Sequence, residues 1–137
     1  MTTKIAVIRH GEPVGGRRYR GYGVDDKLTE TGWLQMRDAV PQDPPWQHIV
    51  SSPLKRCLEF SQELADDLQI QCSVDDRVKE IGFGLWEGKT PEDILAEDPE
   101  ALNHFYADPV NALAEISEWG YIYEPGIGEN GLMSIFR

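Results

Sequence analysis

The sequence predicts an α/β layered fold, and three observations predict it. Short strand-like runs alternate with amphipathic helical stretches over residues 4–74, in the order strand, helix, strand, helix, strand. Hydrophobic residues make up 40% and charged residues 27%, spread along the whole chain, which excludes collagen-like, low-complexity and wholly disordered classes. A length of 137 residues suits one domain spanning 1–137, with a core that needs neither disulfides nor a structural metal.

The elements follow in order. Lys4-Ile-Ala-Val-Ile8, followed at once by Arg9-His10-Gly11, reads as a buried parallel-type strand ending in a loop. From Gly11 to Lys27 the chain is rich in Gly, Arg and Tyr with no apolar period, which predicts a substrate-facing loop. Thr29 offers an N-cap for a helix from Glu30 to Val40, stopped by Pro41 and the Asp43-Pro44-Pro45 cluster. His48 to Ser51 is the second strand. Ser52-Pro53 repeats a helix-start signature, and Leu54, Cys57, Leu58, Ser61, Leu64, Ala65 and Leu68 recur at helical spacing. Gln71 to Val74 is a third strand. Thr90-Pro91-Glu92-Asp93 opens a helix in capping-box style, and Asp98-Pro99-Glu100 opens another carrying Leu102, Phe105 and Tyr106.

Composition narrows the function. The formal net charge of −11 argues against nucleic acid or an anionic membrane as partner. Nine Lys or Arg stand against seven Asp or Glu in residues 1–60, and four against seventeen in residues 61–137. The cations able to hold an anion are therefore in the first half, and a small phosphorylated or carboxylated molecule fits them better than a polymer. The first eight residues are too short an apolar run for a signal-peptide core or a membrane span, so a cytoplasmic protein is expected. Cys57 and Cys72 lack metal-site or redox-pair spacing, and no disulfide, metal or other cofactor is expected. Gly126-Ile127-Gly128-Glu129-Asn130-Gly131 matches a dinucleotide fingerprint literally, but only six residues follow it. Cys72 to Arg77 has four intervening residues where a cysteine-phosphatase loop needs five, and lacks its glycines. Trp33 and Trp46 are read as packing residues and Trp86 as part of a pocket wall.

The chemistry-bearing residues sit after successive strands. Arg9 and His10 place a fixed cation beside an imidazole, and Arg56 lies one turn into a helix after the next strand. In a parallel sheet these strand ends open onto one edge. Two guanidiniums and a helix N-terminus would hold a phosphate through charge-assisted bonds, and a neutral imidazole beside it would attack phosphorus. Glu80, after the third strand, offers a proton to a leaving oxygen. Each feature alone has a plainer reading as surface or capping; their order carries the weight.

Arg9-His10-Gly11-Glu12, Leu28-Thr29-Glu30-Thr31-Gly32 with Gln35, Val50-Ser51-Ser52-Pro53-Leu54-Lys55-Arg56, and Glu80-Ile81-Gly82-Phe83-Gly84-Leu85-Trp86-Glu87-Gly88 together resemble the histidine phosphatase superfamily, also called phosphoglycerate-mutase-like. Residues 11–21 look most like α-ribazole-phosphate phosphatase-type members. The resemblance implies a three-layer α/β/α sandwich with a mostly parallel sheet. It makes His10 the phospho-accepting nucleophile, Arg9 and Arg56 phosphate ligands, and Glu80 the general acid that later serves water as base, with no metal. Gly11, Arg17 and Arg18 belong to a candidate substrate loop, where the arginines are equally readable as solvated.

The resemblance runs well over residues 1–110. Pro125 to Gly131 looks like a degraded form of a further family segment, and the family's second active-site histidine has no matching position; His48 and His104 are read as structural or surface residues. The expectation is a C-terminally incomplete domain, shortened or naturally variant, with a sheet edge open to homodimerisation or strand exchange. The function expected is a metal-independent phosphomonoesterase acting on a small organic phosphate, such as α-ribazole phosphate, through a phosphohistidine. The alternatives are a catalytically silent phosphate-binding protein and a phosphoglycerate mutase-type phosphotransferase.

Overall fold

The computed structural model describes residues 2–109 and Ala112. The chain divides into two compact units, one formed by residues 1–17 and 25–79 and the other by residues 18–24 and 80–137. Pro125–Gly131, Trp119 and the last residues lie outside the described part.

In the first unit, helix α1 spans Glu30–Ala39, strand β1 His48–Ser51, helix α2 Lys55–Leu68 and strand β2 Gln71–Val74. Thr29 caps α1 through its side chain, which accepts the Gly32 N–H, as the sequence predicts. β1 and β2 pair in parallel, His48 opposite Gln71 and Ser51 opposite Val74, with α2 as the crossover between them. A short 3-10 turn, Asp76–Val78, follows, its N–H of Arg77 accepted by Asp75. The bonds from Arg77 hold the Asp75 carboxyl down to about 2.

Two expectations for this unit are corrected. Lys4–Ile8 forms no strand, and Ile5 and Val7 are 83% and 77% exposed. β-branched residues favour a pleated surface on which to pack, and among the described residues no strand pairs with this segment. Helix α2 begins at Lys55 with Leu54 at its N-cap, not at the Ser52-Pro53 signature. Ser52 Oγ instead accepts the Leu54 N–H at 3.3 Å, inside the turn that leads into the helix.

The core of the first unit is Leu28, Met36 and Phe60, flanked by Ile8, Trp33, Val40 and Leu64. The Trp33 ring packs 5.5 Å from that of Phe60, and the Arg37 guanidinium lies over it at 5.5 Å. Burying a side chain of this size contributes roughly 1.5–3 kcal/mol, far more than the exposed Arg37–Glu63 pair that also links α1 to α2. Cys57 and Cys72 are free thiols, and burial with Asp66 nearby pushes the Cys72 thiol upward.

In the second unit a 3-10 turn, Gly84–Trp86, precedes helices α3, Pro91–Glu97, and α4, Pro99–Ala107. Thr90 and Asp93 form the expected capping box, and the Asp98 side chain caps α4 by accepting the Ala101 N–H at 3.0 Å. Ile81, Phe83, Trp86, Ile94, Leu102, Phe105 and Ala112 form the core. Tyr19 completes it, its ring 5.2 Å from Phe83 and 5.3 Å from Trp86. Trp86, 6% exposed, is a core residue here and not the pocket-wall residue expected of it. Among the described residues no helix is long and apolar enough to cross a membrane.

Candidate active site

His10 is half-buried, and its Nδ1 lies 2.8 Å from the carbonyl oxygen of Gly11. A carbonyl only accepts, so Nδ1 carries a proton, and in a neutral ring the lone pair is then on Nε2. The bond fixes both tautomer and ring orientation.

The loop bearing His10 is clamped to the first turn of α1. Thr29 N–H and Thr29 Oγ1 both donate to the Glu12 carbonyl, at 2.9 and 3.2 Å. The Glu12 N–H donates to Gln35 Oε1 at 2.8 Å, and Val14 N–H to the Lys27 carbonyl at 2.8 Å. These contacts bring the backbones so close that only glycine fits. A Cβ on Gly11 would lie 2.7 Å from the Gly32 carbonyl carbon, and one on Gly32 would lie 2.9 Å from the Glu12 nitrogen. Thr29, Gly32 and Gln35 are therefore positioning residues for the His10 loop, a contact that their reading in sequence as a cap and a family motif does not reveal. Their signal was the spacing of threonine, glycine and glutamine at positions 29, 32 and 35, which puts all three on the opening turns of one helix.

Arg9 is exposed on the solvent side of this loop. Arg56, in the first turn of α2, is 2% exposed and among the largest fully buried side chains of the described residues. A guanidinium so far from water interacts strongly with anions because solvent does not screen it. The turn into α2 is built from Ser51 and Ser52, both buried, and from Asp25, whose Oδ1 accepts the Lys55 N–H at 2.7 Å. Asp25 was missed in sequence because its partner lies 30 residues away.

Glu80 belongs to the second unit. It is half-buried, and its carboxylate accepts the N–H of Ile81 at 3.2 Å. The motif that follows it is fastened to residues 18–24. The N–H of Tyr19 donates to the Lys89 carbonyl and that of Gly88 to the Tyr19 carbonyl. Glu87 Oε1 accepts the Phe83 N–H at 3.1 Å, and its carboxyl carbon would stand 3.0 Å from a Cβ on Gly21 and 2.9 Å from one on Gly23. Arg17 is exposed and Arg18 half-buried, while Arg20 is 8% exposed and donates to the Arg18 carbonyl. This part of the Gly11–Lys27 stretch is thus packed structure more than open loop.

His48 is exposed on β1 and bonded to Ser73 Oγ, and His104 is exposed in the last turn of α4. Neither adjoins the His10 loop in sequence or element.

The family model of the histidine phosphatase superfamily (branch 1) matches residues 5–119. The chain belongs to that superfamily. It is 33% identical over 113 residues to phosphoserine phosphatase 1 of Hydrogenobacter thermophilus, covering 77% of this chain and 52% of that protein. The crystal structure of the α-ribazole phosphatase from Shigella flexneri matches with a TM-score of 0.62 and 26% identity, over 74% of this chain and 52% of that one. A mycobacterial glucosyl-3-phosphoglycerate phosphatase in complex with inorganic phosphate matches with a TM-score of 0.55 and 28% identity, over 70% and 45% of the two chains. The α/β architecture with a parallel sheet is thus that of the histidine phosphatases, and the chain spans about half the length of these phosphatases.

Proposed function

We propose that this histidine phosphatase superfamily member hydrolyses small organic phosphates without a metal, through a phosphohistidine on His10. The observation that carries the reading is the Nδ1–H bond from His10 to Gly11, because it presents the unprotonated Nε2 as a nucleophile in a loop that the α1 turn holds rigid.

The Nε2 lone pair forms the N–P bond as the ester P–O bond breaks, and Glu80, the acid in its family motif, transfers its proton to the leaving oxygen. Water then attacks phosphorus, the Glu80 carboxylate takes its proton, and the N–P electrons return to Nε2. Arg9 and Arg56 meet the phosphoryl oxygens and stabilise the charge that builds there. Support comes from family membership and from a relative that binds inorganic phosphate. Within this class, α-ribazole phosphate is the proposed substrate, supported by the Shigella phosphatase, with phosphoserine as the comparator supplied by the Hydrogenobacter enzyme.

The test is turnover of p-nitrophenyl phosphate, together with trapping of an acid-labile, base-stable phosphoryl label on the protein. His10→Ala is expected to lose the label entirely and at least about a thousandfold in rate. Turnover that survives in His10→Ala would refute the mechanism.

A further inference from the structure

Helix α2 is not capped by its own N-cap residue. Leu54 makes no side-chain cap bond, and no acidic residue lies in the first turn. The acceptor comes from 30 residues away, where Asp25 Oδ1 takes the Lys55 N–H at 2.7 Å. A carboxylate there makes a charge-assisted bond and meets the positive end of the helix dipole. The anion expected at this helix end is thus, at Lys55, the protein's own carboxylate, and the next residue is the buried Arg56. Residues 25–29 also hold the His10 loop. Leu28 roots the segment in the core, the Lys27 carbonyl accepts the Val14 N–H at 2.8 Å, and Thr29 donates twice to the Glu12 carbonyl. One end of the segment therefore grips the turn that bears Arg56, and the other grips the loop that bears His10.

We infer that Asp25 is a positioning residue that sets Arg56 in register with the His10 loop, acting through the Lys55 N–H. The inference rests on the reading of Arg56 as a phosphate ligand. A guanidinium binds phosphoryl oxygens through a rigid fork, so its strength depends on the direction from which the backbone presents it. With the Lys55 N–H held, the first turn of α2 keeps one arrangement. Without that acceptor the turn frays, the binding arrangement becomes a fraction of the population, and anion affinity falls by that fraction.

The test is calorimetric binding of inorganic phosphate to the full chain and to Asp25→Ala, Asp25→Asn, Arg56→Lys and Asp25→Ala/Arg56→Lys, with urea unfolding of each. Asp25→Ala is expected to weaken phosphate binding about three- to tenfold. Asp25→Asn, whose amide oxygen accepts the same N–H, should restore most of the loss; an equal loss in Asn would overturn the inference, since the bond and not the charge is the device. In the Arg56→Lys background, where the rigid fork is gone, Asp25→Ala should cost little more, a non-additivity that a residue supporting only the fold does not produce. A loss that persists in full there, or a lowered urea midpoint with parental phosphate affinity, would mean a structural cap only and would overturn the inference. Should Asp25→Ala fail to fold, Asp25→Glu, which keeps the charge and shifts the carboxylate by one methylene, takes its place in the same cycle with the same expected sign. Affinity weakened by Arg56→Lys but not by the Asp25 variants refutes the role of Asp25 alone. Phosphate binding unmoved by Arg56→Lys, or absent from the parental chain, refutes the reading of Arg56 and this inference with it.

Discussion

Gly32→Ala sets two physical effects against each other, and the structure decides the sign. Gly32 lies inside α1, where alanine would ordinarily stabilise a helix by roughly 1 kcal/mol relative to glycine. Here the new methyl group would stand 2.9 Å from the Glu12 nitrogen and 3.0 Å from its carbonyl carbon, and closer still to its oxygen. Ordinary carbon–oxygen contacts begin at about 3.3 Å, so the loop and the helix must separate by about 1 Å. The obstacle is backbone, which has no rotamer to yield. A separation of that size stretches the Thr29 N–H and Oγ1 bonds to the Glu12 carbonyl, now 2.9 and 3.2 Å, beyond useful range. Each is worth about 1 kcal/mol, and overpacking adds roughly 1–3 kcal/mol. After the helix-propensity gain, a net destabilisation of about 2–4 kcal/mol remains. His10 lies two residues before Glu12, so the same displacement should cost on the order of a hundredfold in kcat. Urea unfolding followed by tryptophan fluorescence, and p-nitrophenyl phosphate turnover, measure the two effects. An alanine variant with parental stability would show that the two motifs do not meet as described, and parental stability with a hundredfold rate loss would refute the packing argument alone.

Gln69, at φ 55° after α2, is the positive-φ non-glycine among the described residues, and the Gln69 and Ile70 N–H groups close the helix onto Asp66 and Ala65. Gln69→Gly removes the left-handed penalty while keeping those bonds, and should raise the urea midpoint by an amount equivalent to about 1 kcal/mol; a lowered midpoint would contradict the cap geometry. The Asp93 carboxyl is held below its ordinary value of 3.8 by the Thr90 backbone N–H and side chain. A carboxyl lowered by folding stabilises the fold fully above 3.8, and that stabilisation is lost as pH falls through the lowered value. The stability gap between the parent chain and Asp93→Asn should therefore be widest at neutral pH and close in acid, as read by thermal melts across pH 2–7; a gap independent of pH would exclude a working capping box.

Much of the fold was legible because its signals are local. The Thr29 cap, the Thr90/Asp93 box and the Asp98 cap are decided within four residues, and each forms as its residues dictate. The His48–Ser51 and Gln71–Val74 strands were legible because short segments on either side of one amphipathic helix, ended by turn formers, pair in parallel across that crossover. His10, Arg9, Arg56 and Glu80 stood out because their residue types and order announce phosphate chemistry before any coordinate is known.

Tertiary structure alone decided what depends on partners distant in sequence. Lys4–Ile8 has strand composition but remains irregular, since a strand exists only where a neighbouring chain takes its N–H and C=O groups. The start of α2 moved from Ser52 to Lys55, where Asp25 supplies the acceptor. Gly11 and Gly32 look like ordinary loop and helix residues until their backbones are seen in contact, and Arg20, Trp86 and Glu87 look like surface or pocket residues until Tyr19, Gly21 and Gly23 close around them. Sequence by itself thus determined most of the local elements and the chemical identity of the candidate site residues, because both are encoded within a few positions. The Nδ1–H bond of His10, the burial of Arg56 and the clamp that holds the His10 loop were settled only in three dimensions, because each is a property of groups that folding brings together.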